Sequence, residues 1–294
     1  MKQRTIKKEV KVVGIGLHSG SPVTMVLKPA EDDYGIVFVR KDVGVSIPLR
    51  PENIVDTKLA TVVGKGNVHV STIEHLLSAL SAFGVDNLII ETNAEELPVM
   101  DGSSASFCML LQETGTVSQK KNKKIMVLKK PVEVRDGNRF VRLVPSEENE
   151  LHFEIKFDHP VIQSQRYEFN FTKNNYIKEI ARARTFGFLK EVQYLHSIGK
   201  GKGGSLDNTV VLDEKRVLNT EGLRFDDEFV RHKILDAIGD MMVLGMPFFA
   251  RYESFAGSHH LNFQLTQAVL ADKDAYEVVE IGTVAEAVME KAFA

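Results

Sequence analysis

TMVLKPAEDDYGIVFVR, residues 24–40, alternates apolar and polar positions on either side of a proline and an acidic turn, which predicts two β-strands and a tight connection. The same order returns in FVRLVPSEENELHFEIKF, residues 140–157, where Pro145-Ser146-Glu147 matches Pro29-Ala30-Glu31. Each strand pair is followed by a helical pattern, over residues 72–83 and 228–244. Glycine closes each helix, at Gly84 and Gly245, and a strand comes next, NLIIET or PFFARYES. DGSSASFCMLLQE and AGSHHLNFQLTQAVL then both set Gly-Ser ahead of an amphipathic helix. Three matches in one order predict an internal duplication. The expected domains are residues 1–122 and 123–294, joined by a solvated linker at the lysine-rich residues 120–124, with insertions near 39–63 and 190–216. Strands grouped ahead of helices place the chain in the α+β class, each half a layer of strands packed with two helices.

Composition narrows the possibilities. A chain of 294 residues, 43% hydrophobic and 26% charged, suits two folded domains, and a net charge of −3 leaves no basic stripe for nucleic acid. The N-terminus, MKQRTIKKEV, lacks the apolar stretch of a signal peptide or anchor, and no apolar run approaches the roughly 20 residues of a membrane span. The single cysteine, Cys108, permits neither an internal disulfide nor a thiolate metal cluster; it suits a reducing cytoplasm. A bound metal must therefore draw on His, Asp and Glu.

RHKILDAIGDMMVLG, residues 231–245, carries such groups. At about 100° per residue His232, Lys233, Asp236 and Asp240 share one side of a helix, opposite Ile234, Leu235, Ile238, Met241 and Met242. A solvated face has this pattern too. The apolar surroundings, however, make the helix central, and a histidine and an aspartate four residues apart can grip one ion.

In the first half, Ser71-Thr72-Ile73-Glu74 fits a capping box, with Glu74 reaching back to the helix start. The next residue is His75. If the two helices meet between the domains, His75 can complete a His-His-Asp set and leave Glu74 beside it as a base, a reading compatible with the cap. The glycines of GKGKGGS, residues 199–205, allow either a flexible loop or close approach to a ligand; no P-loop pattern is present, and no H-E-x-x-H peptidase motif occurs.

The ordered set GIGLHSG, DTKLAT, VSTIEHL, LPVMDGSSASF, ARTFGF, GGSLDNTVV, RHKILDAIGD and SHHLN resembles the zinc-dependent UDP-3-O-acyl-N-acetylglucosamine deacetylases, over most of the chain to about Leu270. The resemblance implies removal of an N-acetyl group during lipid A synthesis in the cytoplasm of Gram-negative bacteria. It implies zinc held by His75, His232 and Asp236, with Glu74 as general base and His259 as the catalytic histidine. Asp240 is similar to the carboxylate that orients that histidine, Lys233 to a cation near the reaction centre, and Thr185 to a hydroxyl that holds the oxyanion. Phe186, Val192 and Gly204 look like lining of an acyl-chain passage built by the second insertion. The family commonly has Gly before its catalytic histidine, where this chain has Ser258-His259-His260; counting back from Leu261-Asn262 selects His259.

His18, His69, His152, His159 and His196 are expected at surface or satisfied positions, with His18 inside the family-like GIGLHSG. The implied partner is the UDP-3-O-acyl-N-acetylglucosamine substrate, with no nucleic acid, no transmembrane segment and no obligate protein partner. Two rivals stand beside this reading: a zinc amidase or esterase acting on another acylated sugar, and a non-catalytic scaffold whose polar stripe is merely solvated. The tail from Ala271 onward resembles nothing that assigns it a role.

Overall fold

The computed structural model describes residues 1–280, and the duplication emerges there as two five-stranded sheets with one strand order. The first half runs β1 (Lys2–Ile6), β2 (Val10–Ile15), β3 (Pro22–Pro29), β4 (Ile36–Arg40), β5 (Val45–Pro48), β6 (Ile54–Asp56), β7 (Val62–Lys65), β8 (Val68–Val70), α1 (Glu74–Ala82), β9 (Leu88–Thr92), α2 (Ala105–Thr114) and β10 (Thr116–Asn122). The second runs β11 (Lys124–Leu128), β12 (Val132–Asp136), β13 (Arg139–Val144), β14 (Glu150–Lys156), β15 (Ser164–Asn170) and the short α3 (Lys173–Asn175). It continues through β16 (Phe186–Phe188), α4 (Leu189–Ser197), β17 (Val210–Leu212), α5 (Glu228–Met241), β18 (Phe248–Phe249), β19 (Arg251–Phe255), α6 (His259–Ala271) and β20 (Tyr276–Glu280).

The main sheets are ordered β2-β3-β9-β4-β5 and β12-β13-β19-β14-β15. In each, the strand that follows the long helix enters the middle. β9 lies antiparallel to β3 and parallel to β4, and β19 lies antiparallel to β13 and parallel to β14. Period-two burial along β3 and β14 turns one face of each sheet inward, and a single apolar cluster runs through both halves. α1 and α5 cross face to face at the centre of that cluster.

Several sequence expectations are revised. β5 pairs with β4 inside the main sheet, so the first extra element begins after it, with the turn at Pro51–Asn53 and the β6-β7-β8 sheet. The second insertion is a crossover, β16 and β17 pairing in parallel around α4. Residues 120–124 are not a solvated linker. β10 pairs with β1, β11 pairs with β18 and β20, and Lys123 between them is 2% exposed, its Nζ 2.8 Å from Asp86 Oδ1 and 2.9 Å from the Gly84 carbonyl oxygen. A cation at the C-terminal end of α1 answers carbonyls that the helix leaves open. Part of the tail is sheet, since β20 runs antiparallel to β11; residues 281–294 lie outside the described residues.

Candidate active site

The capping box does not form. α1 begins at Glu74 after Ile73, and no side chain caps it. Ser71 is engaged elsewhere, bridging to Glu96 and bonding through both its N–H and its hydroxyl to the Glu95 carbonyl oxygen. Thr72 takes φ +56°, rare for a β-branched residue, and its hydroxyl donates to Glu96 Oε1 at 2.9 Å. That sharp entry leaves Glu74 free of the helix start and drives both Glu74 and His75 into the interior, at 3% and 4% exposure.

α5 crosses at this point. Gly239 stands so near α1 that a Cβ built on it would lie 2.0 Å from the Glu74 carbonyl oxygen. The polar side of α5 is therefore buried against α1 rather than solvated: His232, Asp236 and Asp240 are each at most 4% exposed. His75 Nε2 lies 3.6 Å and His232 Nε2 3.3 Å from Asp236 Oδ1, and the ligand atoms of the three residues all fall within 4.8 Å of one another.

The chemistry of this donor set fits a divalent metal. His232 Nδ1 lies 3.0 Å from the Ala183 carbonyl oxygen; an N–H there directs the Nε2 lone pair at Asp236. Burial lowers His232 to about 4, against the pull of Asp236, so it is neutral at pH 7. A lone pair facing a carboxylate oxygen calls for a cation between them. Two imidazoles and one carboxylate make a three-ligand set of the kind that leaves a position open for substrate or water. Lys233, its Nζ 2.8 Å from Asp236 Oδ2, helps hold that carboxyl well below the ordinary range although burial opposes it.

The remaining charged groups close around this cluster. Ser258 caps α6 by accepting from the Leu261 N–H, which sets His259 at the first helical position. His259 Nδ1 is 2.8 Å from Asp240 Oδ2 and its Nε2 is 3.9 Å from Glu74 Oε1. Burial alone would lower His259, but Asp240 and then Glu74 raise it to about 9. Glu74 moves upward as well, chiefly through burial. His260 turns away, with Nδ1 3.2 Å from the Thr57 hydroxyl, so the geometry favours His259 in the Ser258-His259-His260 register.

Phe186 packs edge-on against the His232 ring, centroids 6.3 Å apart. Thr185 precedes it, half-buried, tied by its N–H to the Gly102 carbonyl and two residues from the Ala183 carbonyl that contacts His232. Val192 and Gly204 lie farther out. Val192 is on α4, which has no fully buried residue and exposes Leu189 and Tyr194, with Ile198 exposed just after it. The glycine segment is docked rather than loose: Gly203 N–H donates to the Leu17 carbonyl, and a Cβ on Gly203 would lie 2.1 Å from the Gly16 carbonyl oxygen.

His69, His152, His159 and His196 face carboxylates or carbonyls, whereas the Nδ1 of His18 is buried without a partner. Two supporting residues escaped the sequence reading, Thr61 and Asn262, although each lies inside a stretch already singled out, DTKLAT and SHHLN. Both bond to Asp240. A separate cavity of about 480 Å³ at the far ends of α1 and α5, lined by Ser81, Gly84, Met241, Met242 and Phe248 among others, holds none of the predicted site residues.

Residues 3–271 match the family model described as UDP-3-O-acyl N-acetylglycosamine deacetylase. The chain belongs to that family. The deacetylase from Sulfurimonas denitrificans is 60% identical over 294 residues, covering all of both chains, and that from Campylobacter jejuni subsp. jejuni serotype O:2 is 58% identical over the same span. The Nitratiruptor deacetylase is 59% identical over 283 residues, 96% of this chain and 95% of its own. Each of the three is named UDP-3-O-acyl-N-acetylglucosamine deacetylase. Family membership makes this deacetylase a hydrolase of an amide bond, and its buried His75, His232 and Asp236 form a group that could hold a metal ion. Among its described residues no helix is long and apolar enough to cross a membrane.

Proposed function

We infer that this chain hydrolyses the N-acetyl group of UDP-3-O-acyl-N-acetylglucosamine to acetate and the free amine, a step of lipid A synthesis in the Gram-negative cytoplasm, with zinc on His75, His232 and Asp236. The observation that carries the reading is the convergence of α1 and α5, which gathers two imidazoles and an aspartate beside Glu74, whose Oε1 lies 3.9 Å from His259 Nε2. The two domains are assigned to residues 1–122 and 123–294, with the reaction between them.

His75, His232 and Asp236 would hold the zinc, which would supply Lewis acidity to water and to the acetamide carbonyl. Glu74 is the base that takes the water proton as the water oxygen joins the carbonyl carbon; its upward shift brings its proton affinity nearer that task. The developing oxyanion is met by the Thr185 hydroxyl and the Lys233 charge. His259, cationic below about pH 9 and oriented by Asp240, delivers its proton to the amide nitrogen as the C–N bond breaks. Separate residues thus serve as base and acid. Phe186, Val192 and Gly204 border the acyl chain, and the exposed apolar side chains of α4 support a passage there.

The test is acetate release from the UDP-acylglucosamine substrate. Expected are activity abolished by a chelator, restored by limited zinc, and sharply reduced when the acyl chain is shortened. Activity indifferent to metal removal overturns the zinc assignment, and indifference to acyl length overturns the substrate.

A further inference from the structure

Thr61 lies in the first half, next to β7, at 2% exposure. Its N–H donates to Glu74 Oε2 at 3.1 Å and its hydroxyl donates to Asp240 Oδ1 at 2.6 Å, across 179 positions of sequence and from one domain to the other. One residue thus bonds to both carboxylates that face His259. The remaining lone pairs are ordered by these contacts. With Oε2 held, Glu74 presents Oε1 toward His259 Nε2 across 3.9 Å. With Oδ1 held, Asp240 gives Oδ2 to His259 Nδ1 and to the Asn262 amide, each at 2.8 Å, and Asn262 is itself fixed by the Tyr252 hydroxyl at 2.7 Å.

We propose that Thr61 is a positioning residue: its hydroxyl fixes the rotation of the Asp240 carboxylate, and through it the His259 ring, while its amide fixes the Glu74 carboxylate, keeping base and acid in register across the domain interface. The inference rests on the deacetylase reading for the roles of Glu74 and His259, not for the contacts themselves. A carboxylate held at one oxygen by a neighbouring domain cannot turn about its Cβ–Cγ bond without breaking that contact. If the hydroxyl is removed, Oδ1 is left buried without its partner and the carboxylate turns to find another, taking the imidazole with it. Substrate binding away from these two carboxylates is untouched, so the loss falls on turnover.

The experiment compares wild type, Thr61→Val and Thr61→Ser as full-length, zinc-loaded enzyme. Valine keeps the shape and the amide but lacks the hydroxyl; serine returns it. Expected for Thr61→Val is kcat lower by roughly 10- to 100-fold with KM little changed, as for a displaced catalytic group. Zinc content and thermal midpoint stay near wild type, and Thr61→Ser recovers most of the loss. The second readout is the downfield proton resonance of the His259 Nδ1–H···Asp240 bond, which shifts or broadens in Thr61→Val and returns in Thr61→Ser. If valine does not fold at this site, Thr61→Ala replaces it under the same readouts. The proposal is overturned if the hydroxyl-free variant keeps kcat and the resonance, or if serine fails to recover both. Wild type without deacetylation sinks the reading of function instead, and the resonance comparison then still decides the role of Thr61.

Discussion

Gly239 on α5 lies against the backbone of Glu74 on α1, with no room for a side chain between them. Mid-helix glycine costs roughly 1 kcal/mol relative to alanine, so propensity alone favours Gly239→Ala. The added methyl would meet the Glu74 carbonyl oxygen at 2.0 Å, and that atom belongs to a rigid helix. We expect Gly239→Ala to destabilise the protein by about 3 kcal/mol or more in urea unfolding and to weaken metal binding, because parting the helices separates His75 from His232 and Asp236. A variant as stable as wild type, with full metal content, would show that the helices tolerate a wider crossing.

Glu74 and Ser71 separate punctuation from chemistry. Since Ser71 does not cap α1, Ser71→Ala should change stability by less than about 0.5 kcal/mol, not the roughly 1 kcal/mol of a lost cap. Glu74→Gln should fold and retain metal while turnover falls by roughly 10²- to 10⁴-fold. Acetate release, metal analysis and denaturant titration of the two variants decide the matter.

His259 ought to set the basic limb of the pH profile. As a proton donor it acts only while cationic, so kcat/KM should fall as pH rises through about 9, where the Asp240 and Glu74 charges have moved it. Asp240→Asn, which removes the first of those charges, should carry the limb to lower pH. The stability linkage has the same sign. A histidine raised from 6.5 contributes fully below that value, and its contribution is lost as pH rises through about 9. A limb that stays in place in Asp240→Asn would assign it to another group.

Lys123 and Asp86 form a buried pair beside the end of α1. Burial raises the carboxyl and lowers the ammonium, each opposed by its partner. Lys123→Met takes the ammonium partner from that buried carboxylate and should cost about 3–5 kcal/mol. Lys123→Met with Asp86→Asn should recover most of it, since asparagine still offers an oxygen to the Arg4 N–H that now bonds Asp86. Equal stability of the single and paired variants in urea titration would remove the charge argument.

Periodicity alone determined the duplication, because alternation, helical spacing and terminal glycines are local properties that each segment carries in its own residues. It led to two sheets of one order, and to a helix in each half with ionisable groups on it. It could not distinguish a solvated face from a buried one, and His232, Asp236 and Asp240 show the pattern of either. Nor could it foresee that Ser71 would be drawn into a bridge with Glu96, that Lys123 would be buried against Asp86, or that Thr61 would reach Asp240 from the other half. Those outcomes depend on which surfaces meet. The tertiary fold decided them by bringing α1 and α5 close enough that these side chains are buried and their charges are met by partners in the protein.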